Sequence, residues 1–284
     1  IEDWYLSEPD ILLYDYGSYG QIIKVSYIPT DDGSERVGTR FALQAGASEV
    51  TLSFDVKLHS AFEFVRGGKM HGVAGGTATT GCKPIDADGW SVRMMWGSAG
   101  DPRLYIYHQD RKSSCGDPYF QSQSQFTFAL GTWYRVEIYV KLNSNANSFD
   151  GEAALYIDGD LLVEVQNLRL SGNNDNDIDW FDFSTFYGGS DQSWSPSTTT
   201  LAYYDNFTVH SGKKVSGRNG KECEVYKKGI FHTAAQACCA VECGSCGGTG
   251  CSSLAGGSSA CCTGVILAND DRCASGLDAP CSYS

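Results

Sequence analysis

A chain of 284 residues with 42% hydrophobic content can bury a real core, as one large domain or as one domain plus a small module. A net charge of -13 excludes nucleic acid as the expected partner, since that binding rests on a basic surface, but leaves an acidic polysaccharide open. No apolar run approaches the roughly 20 residues that cross a bilayer as a helix, so no membrane partner is expected.

Aromatic residues at 12% and 33 glycines suit an all-β protein rich in turns. The chain opens on Ile1 rather than Met, as expected of a mature product whose targeting segment has been removed. Residues 1 to 20 are aromatic and acidic without a clear period. From Gln21 the pattern is strand and turn: QIIKVSYI, TRFALQ and EVTLSFDVKL, broken by PTDDGSE and AGAS. EVTLSFDVKL places Val50, Leu52, Phe54, Val56 and Leu58 on one face, which predicts a half-buried antiparallel strand.

The stretch from Phe62 to Asp110 is unusual. FEFVRGGKMHG, GWSVRMMW and RLYIYHQD have strand character, yet Ser91 and Arg93, then Tyr105 and Tyr107, stand two apart among apolar neighbours. Residues i and i+2 of a strand share a face, so each pair projects together. Lys69 follows a Gly-Gly step that lets its ammonium approach that face. Arg66, Lys69, Lys83, Arg93, Arg103, Arg111 and Lys112 all fall in or beside this stretch. A local basic field on an acidic protein is suited to steering an anionic ligand.

Farther on, TWYRVEIYVKLN alternates, with Trp133, Arg135, Glu137 and Tyr139 on one face. EAALYIDGDLLVEVQNL predicts a hairpin turning at Asp158-Gly159. IDWFDFSTFYGGS and LAYYDNFTVHSG complete a set of strands with turn signals between them and no long amphipathic helix. The expected fold is all-β, a β-jelly-roll sandwich over residues 1–212.

Residues 213–222 are Gly- and Lys-rich and read as a linker. Residues 223–284 hold ten of the 12 cysteines, so this stretch is expected to be a small disulfide-rich module in which FHTAAQACCAVEC forms a short helix. Such cysteine density fits an oxidising compartment and predicts a secreted protein. Cys82 and Cys115 flank the Ser/Arg and Tyr/Tyr segments, and a bridge between them would clamp the loops there.

The remaining motifs are weaker. Asp175, Asp177 and Asp179 lack a full calcium ligand pattern and are expected to form a solvated loop. Cys243 and Cys246 form a C-x-x-C, but so dense a cysteine field favours disulfides over zinc. Asn206-Phe207-Thr208 is a glycosylation sequon within an apparent strand. The five histidines form no recognisable metal set, and no metal or cofactor is expected. His71 and His108 are placed as groove-lining residues, with Arg66 and Arg103 as further substrate contacts. The expected oligomeric state is a monomer.

FEFVRGGKMHG, GWSVRMMW, LYIYHQD, GTWYRVEIYVKLN, DGEAALYIDG, FSTFYGGSDQSW and YYDNFTV, in that order over roughly residues 45 to 210, resemble polysaccharide lyase family 14. The resemblance implies a β-jelly roll that cleaves alginate or related polyuronates by β-elimination. It implies catalytic roles for Lys69 (of GGK), Ser91 and Arg93 (of GWSxR), and Tyr105 and Tyr107 (of YxY). His71 departs from the family, where many relatives carry proline, and the tail is not part of the lyase domain.

The chemistry fits those residue types. β-Elimination removes the C5 proton of a uronate and expels the oxygen on C4. A guanidinium facing the adjacent carboxylate stabilises the enolate-like intermediate, a role for Arg93 helped by Ser91. In β-mannuronate both events lie on one side of the ring, so Tyr107 is expected to serve as base and then acid, with Tyr105 beside it. The two tyrosines are interchangeable at this stage. Lys69 and Arg93 are expected to lower the phenol's pKa. The leading expectation is an alginate lyase that prefers mannuronate and cuts endolytically. A lyase for another polyuronate such as glucuronan, or a glycan-binding wall protein without catalysis, are the alternatives.

Overall fold

The structure is a computed structural model. It describes residues 11–15, 21–43, 46–122, 125–174 and 176–215, with 226–227 and 230–231. Residues 216–222 of the expected linker and most of the cysteine-rich module, including its short helix, lie outside the described residues, as does Asp175. The chain divides into two units, 1–13 with 23–215, and 14–22 with 216–284. In the second unit the strand residues Tyr226–Lys227 and Ile230–Phe231 pair antiparallel.

The described strands from residue 11 to residue 211 form a sandwich of two antiparallel sheets, the β-jelly-roll architecture expected from the strand pattern. One sheet orders β1 (Ile11–Asp15), β2 (Gln21–Tyr27), β15 (Thr200–Ser211), β6 (Glu49–Leu58), β11 (Trp133–Lys141), β12 (Gly151–Ile157) and β13 (Asp160–Leu168) side by side. The other orders β10 (Asp117–Tyr119), β9 (Pro102–Tyr107), β8 (Trp90–Gly97), β7 (Gly67–Gly75), β14 (Trp180–Tyr187) and β5 (Val37–Ala42). A two-stranded ribbon, β3 (Pro29–Thr30) with β4 (Gly33–Ser34), meets the end of β14 through a bridge between Gly33 and Gly188.

Alternation explains the layers. Val50, Leu52, Phe54, Val56 and Leu58 of β6 face Val92, Met94, Trp96, Leu104 and Ile106 of the opposite sheet across one core. Thr51 and Ser53, on the other face of β6, are also buried, so this strand is covered on both sides. The chain beyond β15 accounts for Thr51, whose hydroxyl donates to the Gly212 carbonyl and accepts from the Lys214 N–H. Three hydroxyls inside the core pair with one another: Tyr27 Oη lies 2.6 Å from Thr185 Oγ1 and 2.7 Å from Tyr204 Oη. The hairpin at Asp158-Gly159 has both residues at positive φ (53° and 83°), the backbone a type I′ turn demands. The three segments between Phe62 and Asp110 become β7, β8 and β9, adjacent strands well inside the six-stranded sheet.

Candidate active site

Register places the polar residues in rows. Arg93 on β8 lies opposite Tyr105 on β9, and Ser91 lies opposite Tyr107. On the other side Arg93 lies opposite Gly72 of β7, and Gly72 opposite Asp182 of β14. Lys69 lies opposite Met95, and Met95 opposite Arg103. Directly opposed residues of antiparallel strands share a face. Lys69, Ser91, Arg93, Arg103, Tyr105 and Tyr107 therefore project from the surface of the sheet turned away from the core. Gly72 leaves room for this arrangement, because a Cβ there would sit 2.6 Å from Arg93 Cγ.

The face is only partly open. Arg93 is 4% exposed and its Nη1 lies 3.9 Å from Asp182 Oδ2, while Arg40 Nε reaches Asp182 Oδ1 at 3.4 Å. Burial pulls the Arg93 pKa down and Asp182 opposes that pull. Arginine stays charged regardless, so Asp182 is a buried counter-ion for a guanidinium that has little water. Ser91 is fully buried and donates to the Thr79 carbonyl at 2.8 Å. Its hydroxyl hydrogen is thus used to hold the loop over 76–89, rather than being free for a substrate carboxylate.

Lys69 is half-buried, with Nζ 5.0 Å from the centre of the Tyr105 ring. Burial, then the like charges of Arg93 and Arg36, bring its pKa down to about 8. Tyr105 is also half-buried, whereas Tyr107 is enclosed. The two rings meet edge to face with centroids 5.6 Å apart. Burial and the neighbouring Tyr107 push Tyr105 up to about 12, and the lowering by Arg93 is a smaller effect. Arg93 thus acts on Tyr105 in the direction expected of a cation beside a phenol, but it does not set the outcome. In a face that excludes water, desolvation of the phenolate outweighs that attraction.

Cys82 and Cys115 are joined by a disulfide, linking the loop over 76–89 to the loop that follows β9. The guanidinium of Arg111 sits 5.1 Å above the Tyr107 ring. Among the described residues no cluster of His, Cys, Asp or Glu is arranged to hold a metal ion.

The other expected contacts fall at different distances from this centre. Arg103 shares the face but pairs with Asp101 at 2.5 Å and stacks over Phe120. Arg66 precedes β7, donates to Ser193 at 2.7 Å and stacks over Trp194. His108 lies just past β9, buried between Asp117 at 3.2 Å and Tyr119 Oη at 3.1 Å.

His71 does not line the groove. Between the Lys69–Met95 and Gly72–Arg93 pairs, β7 has two residues where β8 has one. This bulge turns His71 into the core, fully buried, 4.2 Å from the Phe183 ring and 4.6 Å from the Tyr204 ring. Its Nδ1 accepts the Ser184 N–H at 3.1 Å. Burial holds its pKa down at about 3, so it is neutral at any working pH. A histidine whose folded pKa lies below its unfolded value stabilises the fold fully above about pH 6.5, and that contribution is lost as pH falls toward 3. The expected result is a melting temperature that declines below pH 6.5, with His71 contributing up to about 1.4 kcal/mol per pH unit. His71→Leu removes that component from a thermal-melt pH series, and an unchanged slope would refute it.

Sequence reasoning missed Asp182, Arg40 and Arg36. The signal for Asp182 was a single carboxylate inside the apolar run WFDFSTF, which implies a buried partner. Arg36 and Arg40 lie far from the central segments in sequence and reach the face only because β5 pairs with β14.

A two-sheet sandwich with a lysine, an arginine and a tyrosine pair in neighbouring rows of one outer face has the makings of a site for acidic sugars. The family model for polysaccharide lyase 14 matches residues 13–207, and this chain belongs to that family. It is a polysaccharide lyase.

Solved structures agree. A mutant of the alginate lyase Aly36B in complex with an alginate tetrasaccharide is 27% identical, with a TM-score of 0.62 over 73% of this chain and 85% of that one. The alginate lyase vAL-1 from Chlorella virus is 26% identical, with a TM-score of 0.59 over 71% and 88%. The marine alginate lyase from Aplysia kurodai, at 22% identity and a TM-score of 0.60 over 71% and 87%, supports the fold alone. No curated protein matches.

Proposed function

We propose that the chain is a secreted alginate lyase that cleaves poly-β-D-mannuronate endolytically by β-elimination. The observation that carries the reading is the placement of Lys69 and Tyr105, half-buried neighbours on one face, beside the buried cation of Arg93. Alginate is the ligand in the Aly36B complex, which supports a polyuronate substrate here.

The pKa values suggest a division of labour different from the one the motifs imply. A general base works best when its pKa lies near the working pH. Lys69, brought down to about 8, meets that condition, and Tyr105, at about 12, is a phenol that keeps its proton. In this reading neutral Lys69 takes the C5 proton. The electrons of that C–H bond form the C4=C5 double bond, the C4–O4 bond breaks, and O4 receives the Tyr105 proton. Arg93 supplies positive potential beneath the uronate carboxylate as its negative charge spreads. Lys69 and Tyr105 project from the same face of the sheet, so both would reach one side of a sugar laid on it, the arrangement that mannuronate requires.

The test is incubation with polymannuronate, polyguluronate and glucuronan while following ultraviolet absorbance of the unsaturated uronyl product. Absorbance rising first on polymannuronate, with a ladder of oligomers, is the expected result. Signal on glucuronan alone reassigns the substrate, and products of one size from chain ends overturn the endolytic mode.

A further inference from the structure

Both phenol oxygens of the site are held from outside the sheet. The backbone N–H of Cys82 donates to Tyr107 Oη at 3.0 Å, and the backbone N–H of Gly116 donates to Tyr105 Oη at 3.0 Å. One donor sits on the loop between β7 and β8, the other on the loop between β9 and β10. The Cys82–Cys115 bridge joins those two loops. One donor is therefore a half-cystine itself, and the other is the residue next to its partner. Gly116 lies so close that a Cβ there would be 2.8 Å from the Tyr107 ring and 2.9 Å from the Tyr105 ring.

We propose that the Cys82–Cys115 disulfide is a positioning device for the reaction, locking two backbone N–H donors onto the tyrosine pair so that its reduction turns the lyase down. The inference rests on the proton-donor role proposed for Tyr105.

The physical reason lies in what an N–H does to a phenol. A phenol oxygen that accepts an N–H spends a lone pair and not its hydrogen, which in Tyr105 is shared with Tyr107 and turns to O4 when it is given up. When that hydrogen is given to O4, the oxygen becomes negative and the same N–H becomes a charge-assisted donor to it. The donor thus binds the tyrosine more strongly after proton transfer than before, which is the condition for lowering a barrier. The Gly116 N–H already acts against the burial that raises Tyr105.

The bases of the two loops have other anchors. Ser91 and Arg40 hold the carbonyls of Thr79 and Ala78, and Asp117 accepts the N–H groups of Lys112 and Ser113. Besides the disulfide, two side chains of the loop after β9 reach the loop over 76–89, Arg111 donating to the Lys83 carbonyl and Gln109 to the Asp86 carbonyl at 3.0 Å, while the bridge alone lies next to both donors. Breaking the bridge is thus expected to loosen the tips without unfolding the sandwich. The redox step is a two-electron exchange: the sulfur–sulfur bond opens to two thiols as an added small dithiol closes to its own disulfide.

The experiment uses the full chain and the variant Cys82→Ser/Cys115→Ser. The expected kcat is about 10- to 100-fold lower with KM changed less than about threefold, because the donors act on the reacting oxygen more than on sugar binding. Dithiol treatment lowers the parent to the variant's level, reoxidation restores it, and the variant does not respond. In a Tyr105→Phe background, adding Cys82→Ser/Cys115→Ser costs little more, because the donor has lost its acceptor. A merely structural bridge would instead give additive losses and a raised KM.

An unchanged kcat in the folded variant, or additive losses, overturns the proposal. A readout independent of turnover is the tyrosine ring-carbon resonance beside the oxygen, assigned by Tyr105→Phe and Tyr107→Phe. Both resonances are expected to shift when the bridge opens, and static resonances would overturn the clamp. If no polyuronate is cleaved at all, the functional reading falls, while those resonances still decide the clamp.

Discussion

Lys69→Ala is expected to lower kcat by about 10²- to 10⁴-fold, the usual contribution of a positioned base. Lys69→Arg is expected not to restore it. An arginine keeps the positive charge but cannot give up its proton to become a base. The pair of variants therefore separates a base from a mere source of field: recovery in Lys69→Arg would return Lys69 to the electrostatic role and leave Tyr105 or Tyr107 to take the proton. The pH profile carries the same sign. Below about 8 Lys69 is an ammonium and cannot accept a proton, so kcat/KM rises with pH through that value. The acid, Tyr105, is lost only as pH approaches about 12, which places the optimum on the alkaline side. A profile flat from pH 6 to 9 would refute the assignment.

The second large effect concerns Asp182, which is buried in the same row of that face as Arg93 and is not proposed to touch substrate. Asp182→Asn leaves Arg93 buried at 4% exposure without its counter-ion. Breaking a buried pair by removing one partner typically costs about 3–5 kcal/mol. Arg40, the other partner of Asp182, is 38% exposed and can turn to water, so the penalty falls chiefly on Arg93. The expected loss is about 3 kcal/mol, a drop in melting temperature of roughly 6–12 °C for a domain of this size. Arg93→Met combined with Asp182→Asn is expected to recover much of that stability, because the charge has gone, yet to stay inactive. If Asp182→Asn melts with the parent, the pair is not what holds Arg93.

The two outcomes show which parts of the site were readable before the fold was known. Lys69, Arg93, Tyr105 and Tyr107 stood out because charged and phenolic residues recurred at strand spacing among apolar ones, and register brings them onto one face. The same spacing misplaced His71. Counting by two from Lys69 puts it outward, and one extra residue in β7 turns it into the core. A bulge leaves no trace in a period-two pattern. Ser91 was legible as a member of the outward set, but its hydrogen-bond partner Thr79 was not, since that contact depends on how the loop over 76–89 folds back.

The sequence by itself determined the β-sandwich, through alternation and turn chemistry, and the membership of the central cluster, through local spacing. Those are short-range properties that each strand carries alone. Tertiary structure decided everything that depends on water and on distant partners: the counter-ion Asp182 brought in by β14, the N–H groups set on each phenol by bridged loops, and the directions of the pKa shifts. Burial is a property of the assembled sheet. It raised the Tyr105 phenol against the pull of Arg93, and drew Lys69 down into the range where an amine can act as a base.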